Sequence, residues 1–209
     1  MKKIMFNDKY SLTQAVLDGR KTMTRRVIKC PREFKGEWVA GFNIHRRHSD
    51  KKIVDWPCMY DADEREFDMG EILPKYELGE VVAIAQSYGD CGNMPDYELD
   101  EDGYPIMPKR SGFFNKMFVR ADLMPHHIRI TNIKIERLQD ISDEDCLKEG
   151  IFKWDAGQKD IPFYSFHYAD IPDYNDPRDA FAELTDKVSG KGTWESNPYV
   201  FVYEFELID

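Results

Sequence analysis

Ile128-Arg-Ile-Thr-Asn-Ile-Lys-Ile-Glu-Arg-Leu138 is the stretch that decides the fold. Ile128 and Ile130 alternate with polar residues, and so do Ile133 and Ile135, the period-two signature of a half-buried strand. The phase slips at Thr131-Asn132, which predicts a β-bulge. Tyr199-Val-Phe-Val-Tyr-Glu-Phe-Glu-Leu207 repeats the signal. Its aromatics at alternate positions read as core packing on a strand face rather than as a base-stacking platform.

Working outward, Lys3 to Phe6 reads as a short strand, and Asn7 or Asp8 as the cap of a helix over Leu12, Ala15 and Val16 that stops at Gly19. Thr24 to Ile28, Val81 to Ala85 and Phe114 to Val119 read as strands. Ser142 caps a short helix with an acidic first turn that ends at Gly150. Asp176-Pro177 opens a helix over Ala180, Phe181 and Leu184. Between these elements, residues 30–73, 89–112 and 152–175 lack periodicity and read as long insertions. The expectation is an α+β fold in a single domain over residues 1–209: about six strands in a mostly antiparallel, barrel-like arrangement with flanking helices.

At 209 residues, with 42% hydrophobic and 13% aromatic content, the chain can bury a core and is not of the disordered class. It holds no apolar run of the ~18 residues that a membrane-spanning helix requires. The N-terminal MKKIMFNDKY has no apolar signal-peptide core, so a cytoplasmic location is expected. Cys30, Cys58, Cys91 and Cys146 form no CxxC pair and read as free thiols, with no metal centre and no cofactor implied. The net charge of −10 hides two basic stretches. Arg20, Lys21, Arg25, Arg26, Lys29, Arg32 and Lys35 face only Asp18 and Glu33 in sequence. Lys109, Arg110, Lys116, Arg120, Arg129 and Lys134 face only Asp122. Such segments are either a confined anion-binding site or scattered solvated charges.

Three segments carry a family resemblance: Ala15-Val-Leu-Asp-Gly-Arg-Lys-Thr-Met-Thr-Arg-Arg26, then Leu123-Met-Pro125 with the strand and Leu138-Gln-Asp-Ile-Ser-Asp-Glu-Asp-Cys-Leu-Lys-Glu-Gly150, and Trp194-Glu-Ser-Asn-Pro-Tyr-Val-Phe-Val-Tyr-Glu-Phe205. In this order they resemble the ASCH domain family of the PUA-like superfamily, in the larger form found in phages and prophages. The resemblance covers about half the residues. It implies a small antiparallel β-barrel that handles RNA or modified nucleosides. One relative type is an amidohydrolase acting on N4-acetylcytidine, and it is similar here at Lys21, Thr24 and Glu149. Phage-type relatives carry an Arg-Glu pair where this chain has Ala85-Gln86, which puts the polar-substrate contact in doubt or shifts it to Arg26 or Arg120.

Read as chemistry, a threonine hydroxyl becomes nucleophilic only beside a base, and lysine is that base only when its pKa falls. Arg20, Arg25 and Arg26 beside Lys21 push in that direction, as does burial, whereas Glu149 opposes. Lys21 and Thr24 lie three apart and converge only if the chain turns after Gly19. Otherwise Arg20 and Lys21 merely complement a helix C-terminus. Tyr88 and Trp194 are the candidate stacking residues. Three functions follow: recognition of RNA or a modified nucleoside in a basic pocket, hydrolysis of an N4-acylated cytidine by Lys21, Thr24 and Glu149, or a non-catalytic phage accessory module that uses its insertions to bind a protein.

Overall fold

The structure, a computed structural model, describes residues 1–91, 99–104, 115–154, 162–166 and 174–209. In chain order the elements are β1 (Lys3–Ile4), α1 (Leu12–Leu17), β2 (Met23–Val27), β3 (Glu33–Phe34), β4 (Glu37–Trp38), β5 (Gly41–Asn43), β6 (Cys58–Tyr60), β7 (Glu66–Glu71) and β8 (Val81–Ile84). There follow β9 (His127–Arg137), α2 (Asp143–Lys148), β10 (Phe152–Trp154), β11 (Phe163–Ser165), α3 (Pro177–Ser189), α4 (Thr193–Ser196) and β12 (Tyr199–Leu207).

The two deciding stretches become β9 and β12, the central antiparallel ladder of a five-stranded sheet ordered β1-β8-β9-β12-β2. Ile130 pairs with Phe205 and Asn132 with Glu204, so Thr131 is the extra residue of a bulge at the phase slip. β1 joins β8 in parallel, and the other pairings are antiparallel. β12 is buried on both faces: Val200, Val202, Phe201, Tyr203 and Phe205 are all buried. On the side of Tyr199, Phe201 and Tyr203 stand the rings of Phe42, Trp56 and Tyr76, at centroid distances of 6.3, 6.0 and 5.3 Å. The opposite side is covered by helices, whose Leu12, Val16, Cys146, Phe181 and Leu184 join the same core. Apolar surface buried on both sides makes this strand the structural axis.

The Ser142 and Asp176 caps match their sequence signals, whereas the Asn7 or Asp8 cap expected for α1 does not: the N-cap of α1 is Ser11. The Ser142 side chain accepts from the Asp145 N–H, and Asp176 accepts from that of Arg178 with Pro177 following it. Asn7 caps a 3-10 turn at Asp8–Tyr10, and Ser11 in the left-handed region (φ 53°) separates this turn from α1.

Four expectations need correction. The class is α+β, but the expected barrel closure is absent among the described residues: the sheet is open, with β1 and β2 as its edges. Lys116–Phe118 is a 3-10 turn rather than a strand, and Phe114 lies outside the described residues. The reason is two lysines. Lys3 Nζ donates to the carbonyls of Lys116, Met117 and Val119, curling them round one ammonium, while Lys116 Nζ is drawn inward to Phe6 O, Asp8 and Thr13. Residues 30–73 are not a loop but hold the β3-β4 hairpin and the β5-β6-β7 sheet, whose strands are too short, and shifted between Cys58 and Tyr60, to show periodicity. In 152–175, β10 and β11 pair, again over only three residues each. The 89–112 insertion lies largely outside the described residues. Among those described, no helix is long and apolar enough to cross a membrane.

Candidate functional site

The turn after α1 builds the site. Gly19 has φ +70°, and the Arg20 and Lys21 N–H groups both donate to Ala15 O, at 2.9 and 2.8 Å. That reversal needs the left-handed conformation glycine adopts freely. Lys21 is thereby turned inward, just ahead of β2. On the other side α2 ends at Glu149, and Gly150 (φ +102°) lets the Lys21 stem lie against the backbone: a Cβ there would stand 3.5 Å from Lys21 Cδ.

Lys21 Nζ donates to both the main-chain oxygen and Oε2 of Glu149, each at 2.6 Å. Both side chains are all but inaccessible, at 3% and 5% exposure. Burial is the largest influence on Lys21 and pushes its pKa down. Glu149 pulls it back, Arg26 and Arg25 add to the lowering, and the net lies below the ordinary lysine value. The opposition between burial and the carboxylate, open in the sequence, resolves toward burial.

Arg25, on β2, is the hub behind this pair. Its guanidinium donates to Glu136 Oε1 at 2.5 and 3.0 Å, to Asp145 Oδ2 at 3.0 Å and to Glu149 Oε1 at 3.1 Å. Burial disfavours its charge, but the carboxylates of Glu149 and Glu136 outweigh that and hold its pKa above the usual value. Asp145 is pushed up by burial and pulled down further by Arg25 and Lys134, so it ionises below the usual carboxylate range. Glu149 sits at the C-cap of α2, where the helix dipole disfavours an anion; Lys21 and Arg25 supply the compensating charge.

Lys21, Thr24, Arg25, Arg26 and Glu149 line one pocket of about 550 Å³, with Phe6, Leu138, Phe181, Leu184 and Val200 as apolar walls. The Thr24 hydroxyl makes no hydrogen bond among the described residues. Arg26 reaches across the open side of the sheet to Met5 O at 2.6 Å and lies over the Phe6 ring. A second cleft of about 990 Å³ lies between β9 and the segment carrying His45, Arg46 and Trp56.

The remaining sequence candidates lie elsewhere. Arg20 pairs with Asp18 at 3.2 Å, and Arg120 with Asp122 at 2.5 Å on the exposed surface. Tyr88 packs on a separate small cluster of Ala83, Val119 and Met124. Trp194 packs edge-on against Phe181, 6.1 Å between centroids, and does not line the pocket. Gln86 is buried, and its Oε1 has no hydrogen-bond partner among the described residues. Neither it nor Ala85 lines the pocket. Part of the basic stretches is paired: Lys116 with Asp8, Arg129 with Glu206, Lys134 with Glu136, and Lys21 and Arg25 as above, whereas, among the described residues, Arg26 and Lys35 reach only the main-chain carbonyls of Met5 and Asp68. Lys109 and Arg110 lie outside the described residues. Glu136 and Asp145, the acids that neutralise Arg25, were missed in the sequence. The alternation of Lys134 and Glu136 on the strand was the only local sign of them. No protein-family model, curated protein or solved structure matches the chain.

Proposed function

We propose that the chain is an ASCH-type, PUA-like domain whose pocket recognises a modified nucleoside. The observation that carries this reading is the buried Lys21–Glu149 pair opening, with Thr24, into a pocket of nucleoside size. Lys21 and Arg25, two of the seven cations in the first basic stretch, are neutralised internally by Glu149, Glu136 and Asp145. Only Arg26 and Lys29 bring further positive charge to the lining, which favours a small, mainly uncharged ligand over a strand of RNA.

A second reading, amide hydrolysis, is favoured by one observation: a lysine with lowered pKa shares the pocket with an unengaged threonine hydroxyl. Neutral Lys21 would take the Thr24 proton as the oxygen adds to the amide carbonyl. The proton would pass to the departing amine, and water would release the acyl group from Thr24.

Mass-spectrometric turnover of N4-acylated cytidines, beside calorimetric binding at low and moderate salt, tests both. Recognition predicts nucleoside affinity that changes little with salt. Hydrolysis predicts acid release lost in Lys21→Ala. Affinity for an RNA oligomer that falls steeply with salt, without nucleoside affinity, would overturn the nucleoside reading.

A further inference from the structure

β2 is the edge of the five-stranded sheet, and its hydrogen-bonding directions follow from its one ladder. Phe205 N–H donates to Thr22 O and Ile28 N–H to Tyr199 O, so the even-numbered residues of this stretch point their main-chain groups at β12. In an antiparallel ladder the direction alternates with each residue. The N–H and C=O of Arg25 and Val27 therefore point away from the sheet, and no hydrogen bond reaches them among the described residues.

The exposure of Arg25 says where they point. Its side chain is 2% exposed, locked among three carboxylates, yet the residue as a whole is half-buried. What Arg25 shows to solvent is its backbone, and Arg25 lines the pocket. Consecutive Thr24, Arg25, Arg26 and Val27, whose side chains alternate between the two faces, all line the pocket, so it runs along the β2 edge toward which these main-chain groups point. Unpartnered polar groups on a sheet edge are the standard means by which a protein reads a partner's polar edge.

Resting on the nucleoside reading, we propose that the outward N–H and C=O of Arg25 read the ligand, pairing with an adjacent acceptor and donor on the edge of a pyrimidine base. In a cytidine derivative these are N3 and the N4–H. Because the contacts come from the main chain, they distinguish a base that offers acceptor beside donor from one that lacks either, whatever the side chain at position 25.

The test edits the ligand rather than the chain, so it does not disturb the fold. N4-acetylcytidine is titrated beside its 3-deaza analogue, in which N3 is replaced by C–H, and its N4-methyl analogue, which lacks the N4–H. Each analogue is expected to bind at least tenfold more weakly. In amide-resolved NMR, the Arg25 N–H is expected to shift on binding and exchange with solvent at least tenfold more slowly. Equal affinity for all three, or an unmoved Arg25 amide in a protein that binds N4-acetylcytidine, overturns the edge-reading proposal and leaves the pocket's function standing. No binding of N4-acetylcytidine at all overturns both.

Discussion

Replacing Arg25 with methionine keeps much of the apolar bulk of the side chain and removes its charge. Glu136, Asp145 and Glu149, which now converge on one guanidinium at 2.5, 3.0 and 3.1 Å, are left without it. Breaking a buried ion pair from one side costs about 3–5 kcal/mol, because the residual charge stays buried and unpaired. Lys21 still serves Glu149 and Lys134 still serves Glu136 and Asp145, so the lower half of that range is expected at pH 7. With a urea slope of about 2 kcal/mol per molar, the unfolding midpoint falls by roughly 1.5–2 M. The pH dependence carries the sharper test. In the native protein the Asp145 pKa is depressed, so its stabilisation is present above the unfolded value near 3.9 and is lost as pH falls through the folded one. In the variant Asp145 loses the Arg25 contact that lowers its pKa while burial still pushes it up, so the folded variant takes up a proton more readily and acid costs it less than it costs the native protein. The gap between the two proteins should shrink from pH 7 to pH 5. A loss below about 1 kcal/mol at pH 7, or a gap that is the same at both pH values, would refute the hub argument.

Gly150→Ala forces a side chain onto φ +102° beside Leu12 and the Lys21 stem; a cost of about 1–3 kcal/mol is expected, read as a lower melting temperature. Lys116→Leu removes the donor shared by Phe6 O, Asp8 and Thr13, and calorimetry should show a loss of about 1–3 kcal/mol for the stranded acceptors. Val27→Pro removes an N–H that faces off the sheet and should leave a cooperatively folded protein, whereas Ile28→Pro deletes the bond to Tyr199 O and should cost about 3 kcal/mol or more; equal melting temperatures for the two would contradict the edge assignment. The Cys146 thiol, buried and pushed up to about 12, should react with a disulfide reagent at pH 8 only in denaturant, and rapid labelling of the folded protein would count against its placement.

What the amino-acid sequence determined by itself was local. The alternation in 128–138 and 199–207, the slip at Thr131, and the Ser142 and Asp176 caps all depend on neighbours within a few residues, and each appears in the fold where its pattern lies. The resemblance singled out Lys21, Thr24 and Glu149, which the fold brings to one pocket, and the turn that joins them was legible in Gly19. The tertiary structure alone decided the rest. Lys116 breaks an apparent strand because its ammonium finds Phe6 O and Asp8 more than a hundred residues away. The short strands of 30–73 gain their order from packing on Tyr199 and Phe201. The basic run at 20–35 reads as either a confined anion site or scattered solvated charges until Glu136, Asp145 and Glu149 arrive from β9 and α2 to neutralise Lys21 and Arg25. Charge, unlike periodicity, takes its meaning from whatever lies within a few ångströms in space, and only the folded chain determines that.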